Sequence, residues 1–291
     1  MSGKIWEQAE VPYDIPVVNV TFPITKDALV LQIRGDAHIG LNCVDVDEYK
    51  SELLASQREH KNNMFVIETG DLIENGLKKS IGHNYDIGIP DPTEQIKLAK
   101  AIQDELDEDL YGSQVFNKMK PCNGRSTKHA RRIGFIGNHE YRTRKEAGIW
   151  LNEDLYSGKG VIDGGVQRII NLTIENKKIK MKKTYRIYAA HRLTNSSAGI
   201  SLETMIRNFR KKKSDIDADI YACGHYHRRF LAPDYKYTAE GKKKKILYAA
   251  NPSPADTTEY GMWGLYSPTG PGYFTNINLP LDPNKGAWGV I

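Results

Sequence analysis

The sequence predicts an α/β fold, two mixed β-sheets packed face to face with helices outside, on three observations. Between residues 28 and 220 compact apolar runs alternate with amphipathic helical segments, the pattern of βα units. From Phe230 onwards the chain reads as β-structure, and this tail is expected to supply much of the second sheet. Five of the apolar runs stop at side chains of the metal-binding kind, and strand ends of that sort converge in open α/β sheets.

Taken in order, residues 1–27 carry Pro12, Pro16 and Pro23 among Val and Ile, which predicts an edge strand or a surface arm. A strand over Ala28 to Ile33 stops at Gly35-Asp36-Ala37-His38. Asp47 to Asn62 reads as a helix, with Tyr49, Leu53, Leu54 and Gln57 on one side. The next strand, Met64 to Thr69, stops at Gly70-Asp71-Leu72-Ile73-Glu74-Asn75. A long insert-like segment, 76–132, holds a loop rich in Gly, Asp and Pro and then an amphipathic helix from Thr93 to about Leu110. Asp91 is its expected N-cap and Pro92 sits where a helix start tolerates it.

A basic loop with Lys118, Lys120, Arg125, Lys128, Arg131 and Arg132 leads into the third strand, Ile133 to Ile136, which delivers Gly137-Asn138-His139-Glu140. Lys145 to Leu155 reads as helical, and Val161 to Ile174 as one strand interrupted at Gly164-Gly165. Asn176-Lys177 is the expected turn before a strand over Ile179 to Ala190 that stops at His191. Ile200 to Lys213 is an amphipathic helix, and Asp219 to Cys223 a strand that stops at Gly224-His225-Tyr226-His227. Strands at Phe230 to Tyr237, Ile246 to Ala250, Gly261 to Tyr266 and Tyr273 to Leu279 complete the chain, with a turn at Glu240-Gly241.

With 291 residues the chain can bury a large core, and no repeat, low-complexity linker or composition break divides it, so a single domain over 1–291 is expected. No apolar run approaches the about 20 residues of a membrane helix, and Met1 to Asp14 lacks the apolar stretch of a signal peptide; a cytoplasmic protein without a membrane partner is expected. The three cysteines are far apart and form no C-x-x-C pair, which argues against a zinc ribbon or dithiol redox centre. A net charge of +5, from 41 basic and 36 acidic residues, permits nucleic acid without arguing for it.

A single Gly-Asn-His-Glu could be a turn with a solvated histidine. Five strand ends loaded alike would need that explanation five times over, and five of the eight histidines lie there. Carboxylate, amide and imidazole donors suit divalent Mn, Fe or Zn and argue against a thiolate site. Seven or eight such side chains are too many for one tetrahedral zinc and about right for two ions sharing a carboxylate. With Asp36 and Asp71 as the only formally charged ligands, two such ions would leave about two excess positive charges, a site that attracts an anion.

The series Asp36-x-His38, Gly70-Asp71-x-x-Glu74, Gly137-Asn138-His139-Glu140, lone His191 and Gly224-His225-x-His227 resembles the calcineurin-like metallophosphoesterase superfamily, in motif order and over residues 36–227. The resemblance implies the metallophosphoesterase sandwich and a hydrolase that breaks phosphate esters by in-line attack of a metal-bridging hydroxide. It implies that Asp36, His38, Asp71 and His227 hold one divalent ion and Asp71, Asn138, His191 and His225 a second, with manganese foremost and iron, zinc, nickel or magnesium as alternatives. By the same match His139 is the general acid on the leaving oxygen, and Glu74, standing where the family usually has an Asp, holds or polarises it. Glu140 stays outside the catalytic set, and Gly137 is expected to let the backbone turn.

Departures narrow the expectation. Asn75 stands where the Ser/Thr protein phosphatase branch has Arg, and Leu72, Ile73 and Glu74 exclude the metal-bound Tyr of purple acid phosphatases. Arg142 and Arg144 are candidates for contacting the substrate phosphate. The basic loop before the third motif is the favoured backbone-tracking surface, whereas Lys242 to Lys245 and Arg210 to Lys213 read as a solvated hairpin tip and a helix end. A phosphodiesterase or nuclease on DNA, RNA or a nucleotide is the leading expectation. A phosphomonoesterase on phosphoprotein or small esters is the alternative, and a non-catalytic metal-binding scaffold of the same fold is a third.

Overall fold

The computed structural model describes residues 14–60, 63–76, 87–120, 130–195, 201–238, 240–255 and 272–290. Among them twelve strands form two six-stranded mixed sheets. The first runs in the order β1 (Val17–Pro23), β6 (Gln167–Asn176), β7 (Met181–Ala190), β8 (Ile220–Cys223), β10 (Lys243–Ala250), β9 (Phe230–Tyr237). The second runs β12 (Trp288–Val290), β11 (Phe274–Pro280), β2 (Ala28–Arg34), β3 (Met64–Glu68), β4 (Arg132–Phe135), β5 (Val161–Gly165). Within it β2, β3, β4 and β5 are parallel, and β11 joins β2 antiparallel.

Alternation explains the layering. Inward residues of the second sheet, Leu29, Leu31, Ile33, Phe65, Ile67, Ile133 and Phe135, meet Ile170, Leu172, Ile187, Ala189, Ile220, Ala222 and Leu247 of the first in one buried core. The outer face of the second sheet carries α1 (Val46–His60) and α2 (Pro92–Tyr111), which bury Tyr49, Leu53, Leu54, Ala99, Ile102 and Leu106. On the outer face of the first sheet lies α6 (Leu202–Asp215), where Phe209 stacks on Tyr248 with ring centroids 4.9 Å apart. The α2 cap forms as expected, with Asp91 accepting from Thr93 N at 2.8 Å and Pro92 in the first turn.

The structure departs from the sequence reading in four places. The helix expected over 145–155 begins earlier, as α4 (Asn138–Ala147), because the Glu140 carboxylate accepts from Gly137 N at 2.9 Å and closes the first turn. It stops at Gly148 in the left-handed region, and a short α5 (Asn152–Leu155) follows. The single strand expected over 161–174 is two strands in different sheets, the chain crossing at Gly165 with φ 63°. The tail divides between the sheets, giving β9 and β10 to one and β11 and β12 to the other.

The fourth departure concerns the basic loop. Arg132 is buried and bidentate on Asp107 at 3.0 and 2.6 Å, and it also donates to Glu68 at 2.7 Å. Gln103 links the same Glu68 to Arg34 at 2.7 and 3.0 Å. Arg131 lies over the rings of Phe22 and Tyr111 at 5.5 and 5.3 Å. Both arginines are therefore structural, binding the strand layer to α2 rather than facing a polyanion. Residues 121–129, with Arg125, Lys128, Cys122 and His129, lie outside the described residues, as do His83 and the strand expected at 261–266. Among the described residues no helix is long and apolar enough to cross a membrane.

Candidate metal centre

The carboxyl ends of β2, β3 and β4 from one sheet meet those of β7 and β8 from the other. These are the five ends that the sequence loads with polar ligands, and their side chains gather into clusters of Asp36, His38 and His227; of Asp71, His191 and His225; and of His38, Glu74 and His139. Asn138 joins the second group through Oδ1, 2.9 Å from His191 Nε2.

Backbone conformation marks the same residues. Seven described non-glycine residues have positive φ, and five of them are Asp36 (50°), His38 (49°), Asp71 (51°), His225 (71°) and His227 (53°). A sixth is Asn75 at 47°, one residue past Glu74. For residues with a Cβ this region costs about 1–2 kcal/mol each, and such outliers gather where a site over-determines the backbone. The chain turns sharply after β2, β3 and β8, and alternate residues, Asp36 with His38 and His225 with His227, share the left-handed conformation.

Protons are placed by the fixed partners. His191 Nδ1 lies 2.9 Å from Thr69 O, which can only accept, so the ring presents a bare Nε2 inward. Around that nitrogen stand Asn138 Oδ1 at 2.9 Å and Asp71 Oδ2 at 3.1 Å, three acceptors facing one another. His38 donates Nδ1–H to Glu74 Oε2 at 2.9 Å and points Nε2 at His227 Nε2, 3.0 Å away. A set of inward lone pairs with outward hydrogen bonds fits divalent cations of borderline hardness.

The same gathering of acceptors holds protons tightly. Burial opposes this, but Asp71 and then Asp36 raise His191 to about 9. Burial pushes Asp36 up to about 7 against the pull of His191. Burial, and then the neighbouring imidazoles, lower His227. For His38, burial and then His139 lower the pKa.

His139 stands beside this set. Its backbone N–H donates to Asp71 Oδ1 at 2.8 Å, and its Nδ1 donates to Glu74, 2.8 Å from the carbonyl oxygen and 3.1 Å from Oε2. Its Nε2 accepts from Arg142 Nη2 at 2.9 Å, while Arg142 Nη1 reaches Glu74 O at 3.1 Å. Burial opposes protonation of His139, and Asp71 and Glu74 favour it, with a net upward shift. Arg144 is turned elsewhere: its guanidinium lies 3.5 Å from the Trp150 ring and 5.5 Å from that of Tyr141.

Several positioning residues escape a motif reading. Glu140 is buried, and it accepts from Asp71 N at 3.0 Å, Ile73 N at 3.2 Å and Gly137 N at 2.9 Å, tying the second and third loops together. Asn251, just past β10, donates to Asp36 Oδ2 at 2.9 Å, and Ser253 donates to Asp36 O at 2.6 Å. Asn75 donates to His139 O at 2.6 Å and Thr143 Oγ1 at 2.8 Å. Gly137 has ordinary extended backbone, φ −87° and ψ −179°, so the expected turning role is not its reason. A Cβ there would collide with the Asp71 carboxylate and amide, so the requirement is close approach.

Fold and site together describe a two-sheet α/β protein with a candidate site for divalent cations, and in motif order and architecture it resembles the calcineurin-like metallophosphoesterases. No family model matches the chain, and no curated protein matches it either. Among solved structures it is similar to vacuolar protein sorting 29 from Cryptosporidium parvum, at 13% identity over 88% of this chain and 87% of that one, with a TM-score of 0.39. It is similar to the calcineurin-like phosphoesterase YfkN from Bacillus subtilis, at 13% identity over 88% and 85%, with a TM-score of 0.35. It is also similar to Vps29 from Entamoeba histolytica complexed with zinc, at 11% identity over 90% and 98%, with a TM-score of 0.34.

Proposed function

We propose that this chain is a divalent-metal-dependent phosphoesterase whose substrate is a phosphodiester of nucleic acid or a nucleotide. The observation that carries the reading is the convergence of five strand ends, with left-handed backbone at five of the ligand residues, on inward-facing lone pairs. Asp36, His38, Asp71 and His227 would hold one cation, and Asp71, Asn138, His191 and His225 the other; the donors suit borderline divalent ions, and the family resemblance puts manganese first among them. When bound, two such ions supply an activated water at neutral pH and neutralise charge on the phosphoryl oxygens.

The chain's own residues supply the rest. His139, held at Nδ1 by Glu74, presents Nε2 as the atom that gives a proton to the leaving oxygen. Arg142 occupies that nitrogen in the substrate-free protein. A bound phosphate group draws Arg142 to itself and frees Nε2 to carry its proton. Arg144, over Trp150, is left with no such role. A diester has one negative charge where a monoester has nearly two. Arg142 adds a single guanidinium to the charge of the two cations, and Asn75, committed to His139 O and Thr143, adds none, a lighter phosphate clamp than a second arginine would give.

The test is turnover by the manganese-loaded protein of bis-p-nitrophenyl phosphate against p-nitrophenyl phosphate, then of labelled DNA and RNA. Hydrolysis of the monoester alone would overturn the diester reading, and turnover of neither would overturn the phosphoesterase reading. His139→Ala is expected to slow a poor-leaving-group diester by about 10²–10⁴-fold, and Arg142→Ala to raise KM more than it lowers kcat.

A further inference from the structure

The hairpin of β9 and β10 projects lysines from both faces, and the two faces are treated differently. Lys236 and Lys244 are cross-strand neighbours, and each is paired with a carboxylate, Asp217 and Asp219 respectively. On the opposite face Lys243 pairs across the ladder with Tyr237, and Lys245 with Tyr235. Neither Lys243 nor Lys245 makes an ion pair among the described residues, and the Lys243 ammonium lies 4.1 Å from the centre of the Tyr235 ring. Tyr235 is 49% exposed and Tyr237 74% exposed, although both are large and largely apolar.

From these observations we infer that the Tyr235, Tyr237, Lys243 and Lys245 face is a docking platform for single-stranded nucleic acid. Two tyrosines at positions i and i+2 of one strand stand about 7 Å apart on one face, a spacing that lets successive unpaired bases stack on separate rings. Stacking on an aromatic ring is indifferent to base identity, and lysines beside the rings track the phosphates. The cations on this face lack the carboxylates that neutralise their counterparts on the other, so the charge complements a polyanion. Lysines that merely guard a sheet edge against pairing would not need the two exposed rings.

The ribbon links this platform to the candidate centre. β9 starts just after His227, and β10 ends at Ala250, beside Asn251. Six residues separate Lys245 from Asn251, about 20 Å of extended chain. The platform therefore adds affinity for a long substrate and takes no part in the reaction. This inference rests on the nucleic-acid reading of the substrate.

The test uses the full chain, metal-free so that no cleavage intervenes. Binding of a fluorescently labelled oligothymidylate is measured by anisotropy over a range of salt concentrations. Tyr235→Ala/Tyr237→Ala and Lys243→Glu/Lys245→Glu are each expected to weaken it about tenfold or more, and the lysine variant to flatten the salt dependence by about 1.4 in log–log slope. Manganese-dependent turnover of bis-p-nitrophenyl phosphate should be the same in all three proteins, which also verifies folding. Equal binding by wild type and either variant overturns the platform, as does equal binding of duplex DNA. Loss with the lysine variant alone, matched by equal binding of polyglutamate, assigns the face to acidic proteins instead. If the wild type hydrolyses the small diester but does not bind the oligonucleotide, the platform fails and the phosphoesterase reading stands.

Discussion

Glu74 sets one carboxylate oxygen against two imidazoles, Oε2 lying 2.9 Å from His38 Nδ1 and 3.1 Å from His139 Nδ1. His38 is a candidate ligand and His139 the candidate proton donor, so a single side chain orients both. Burial raises the Glu74 pKa, but His139 and His38 overcome it and hold the carboxyl well below the usual range.

Glu74→Gln should therefore weaken two properties at once. Loss of an outer hydrogen bond to a ligating His costs about 10–100-fold in metal affinity, and turnover of a poor-leaving-group ester should fall as His139 loses its partner. His139→Asn should lower turnover and leave manganese affinity, measured by calorimetric titration, near wild type. Unchanged manganese affinity in Glu74→Gln would mean that the His38 contact orients nothing.

Gly137→Ala separates close approach from backbone freedom. A methyl group there meets Asp71, proposed as the shared ligand, and overpacking a rigid site costs about 1–3 kcal/mol. Gly148 is the control: it has φ 74° and open space around it, so Ala there costs about 1–2 kcal/mol of backbone strain without touching the site. Urea midpoints should fall in both variants, and manganese affinity in Gly137→Ala alone. If both retain wild-type affinity, the Asp71 contact is not what demands glycine.

The clustering of these side chains was legible because each candidate ligand interrupts an apolar run at a strand end, an unusual place for a histidine or carboxylate. Asn251 carries the same signal, following the apolar run Ile246 to Ala250, and could have been read with the others. Glu140 could not, since beyond the local amide of Gly137 its partners are the backbone amides of Asp71 and Ile73, 69 and 67 residues away. Arg132 looked like one more cation in a basic loop because its acidic partners, Asp107 and Glu68, lie 25 and 64 residues off in sequence. The jump between sheets at Gly165 was hidden because β-propensity on either side is continuous and carries no label for which sheet receives it.

Stability of the metal-free protein should fall between about pH 6.5 and 9. His191, raised from 6.5 to about 9 by Asp71 and then Asp36 against burial, sets that window, whereas Asp36, raised by burial from 3.8 to about 7, has lost most of its contribution by about pH 7. Groups raised on folding stabilise at low pH and lose that contribution as pH rises through the folded value. Below about 6.5 the lowered His38 and His227 work the other way, because the unfolded chain takes up their protons first. Metal ligands must be deprotonated, so the rise in Tm on adding manganese should be larger at pH 9 than at pH 6.5. Scanning calorimetry with and without manganese measures this, and a metal-induced rise that shrinks with pH would contradict the ligand assignment.

The buried network under α2 offers a test of the scaffold that holds the strand ends in register. Arg132→Leu leaves Asp107 and Glu68 without their shared guanidinium, and removing one member of a buried pair costs about 3–5 kcal/mol. Asp107 is the member left worst, since burial already raises its pKa and Arg132 is the main opposing influence. Arg132→Leu/Asp107→Leu removes the orphaned charge, while Glu68 keeps Gln103 at 2.7 Å and Arg34 at 3.4 Å. The double variant should therefore recover much of the loss in a urea melt. Equal destabilisation of the single and double variants would show that packing of α2, and not charge pairing, sets the cost.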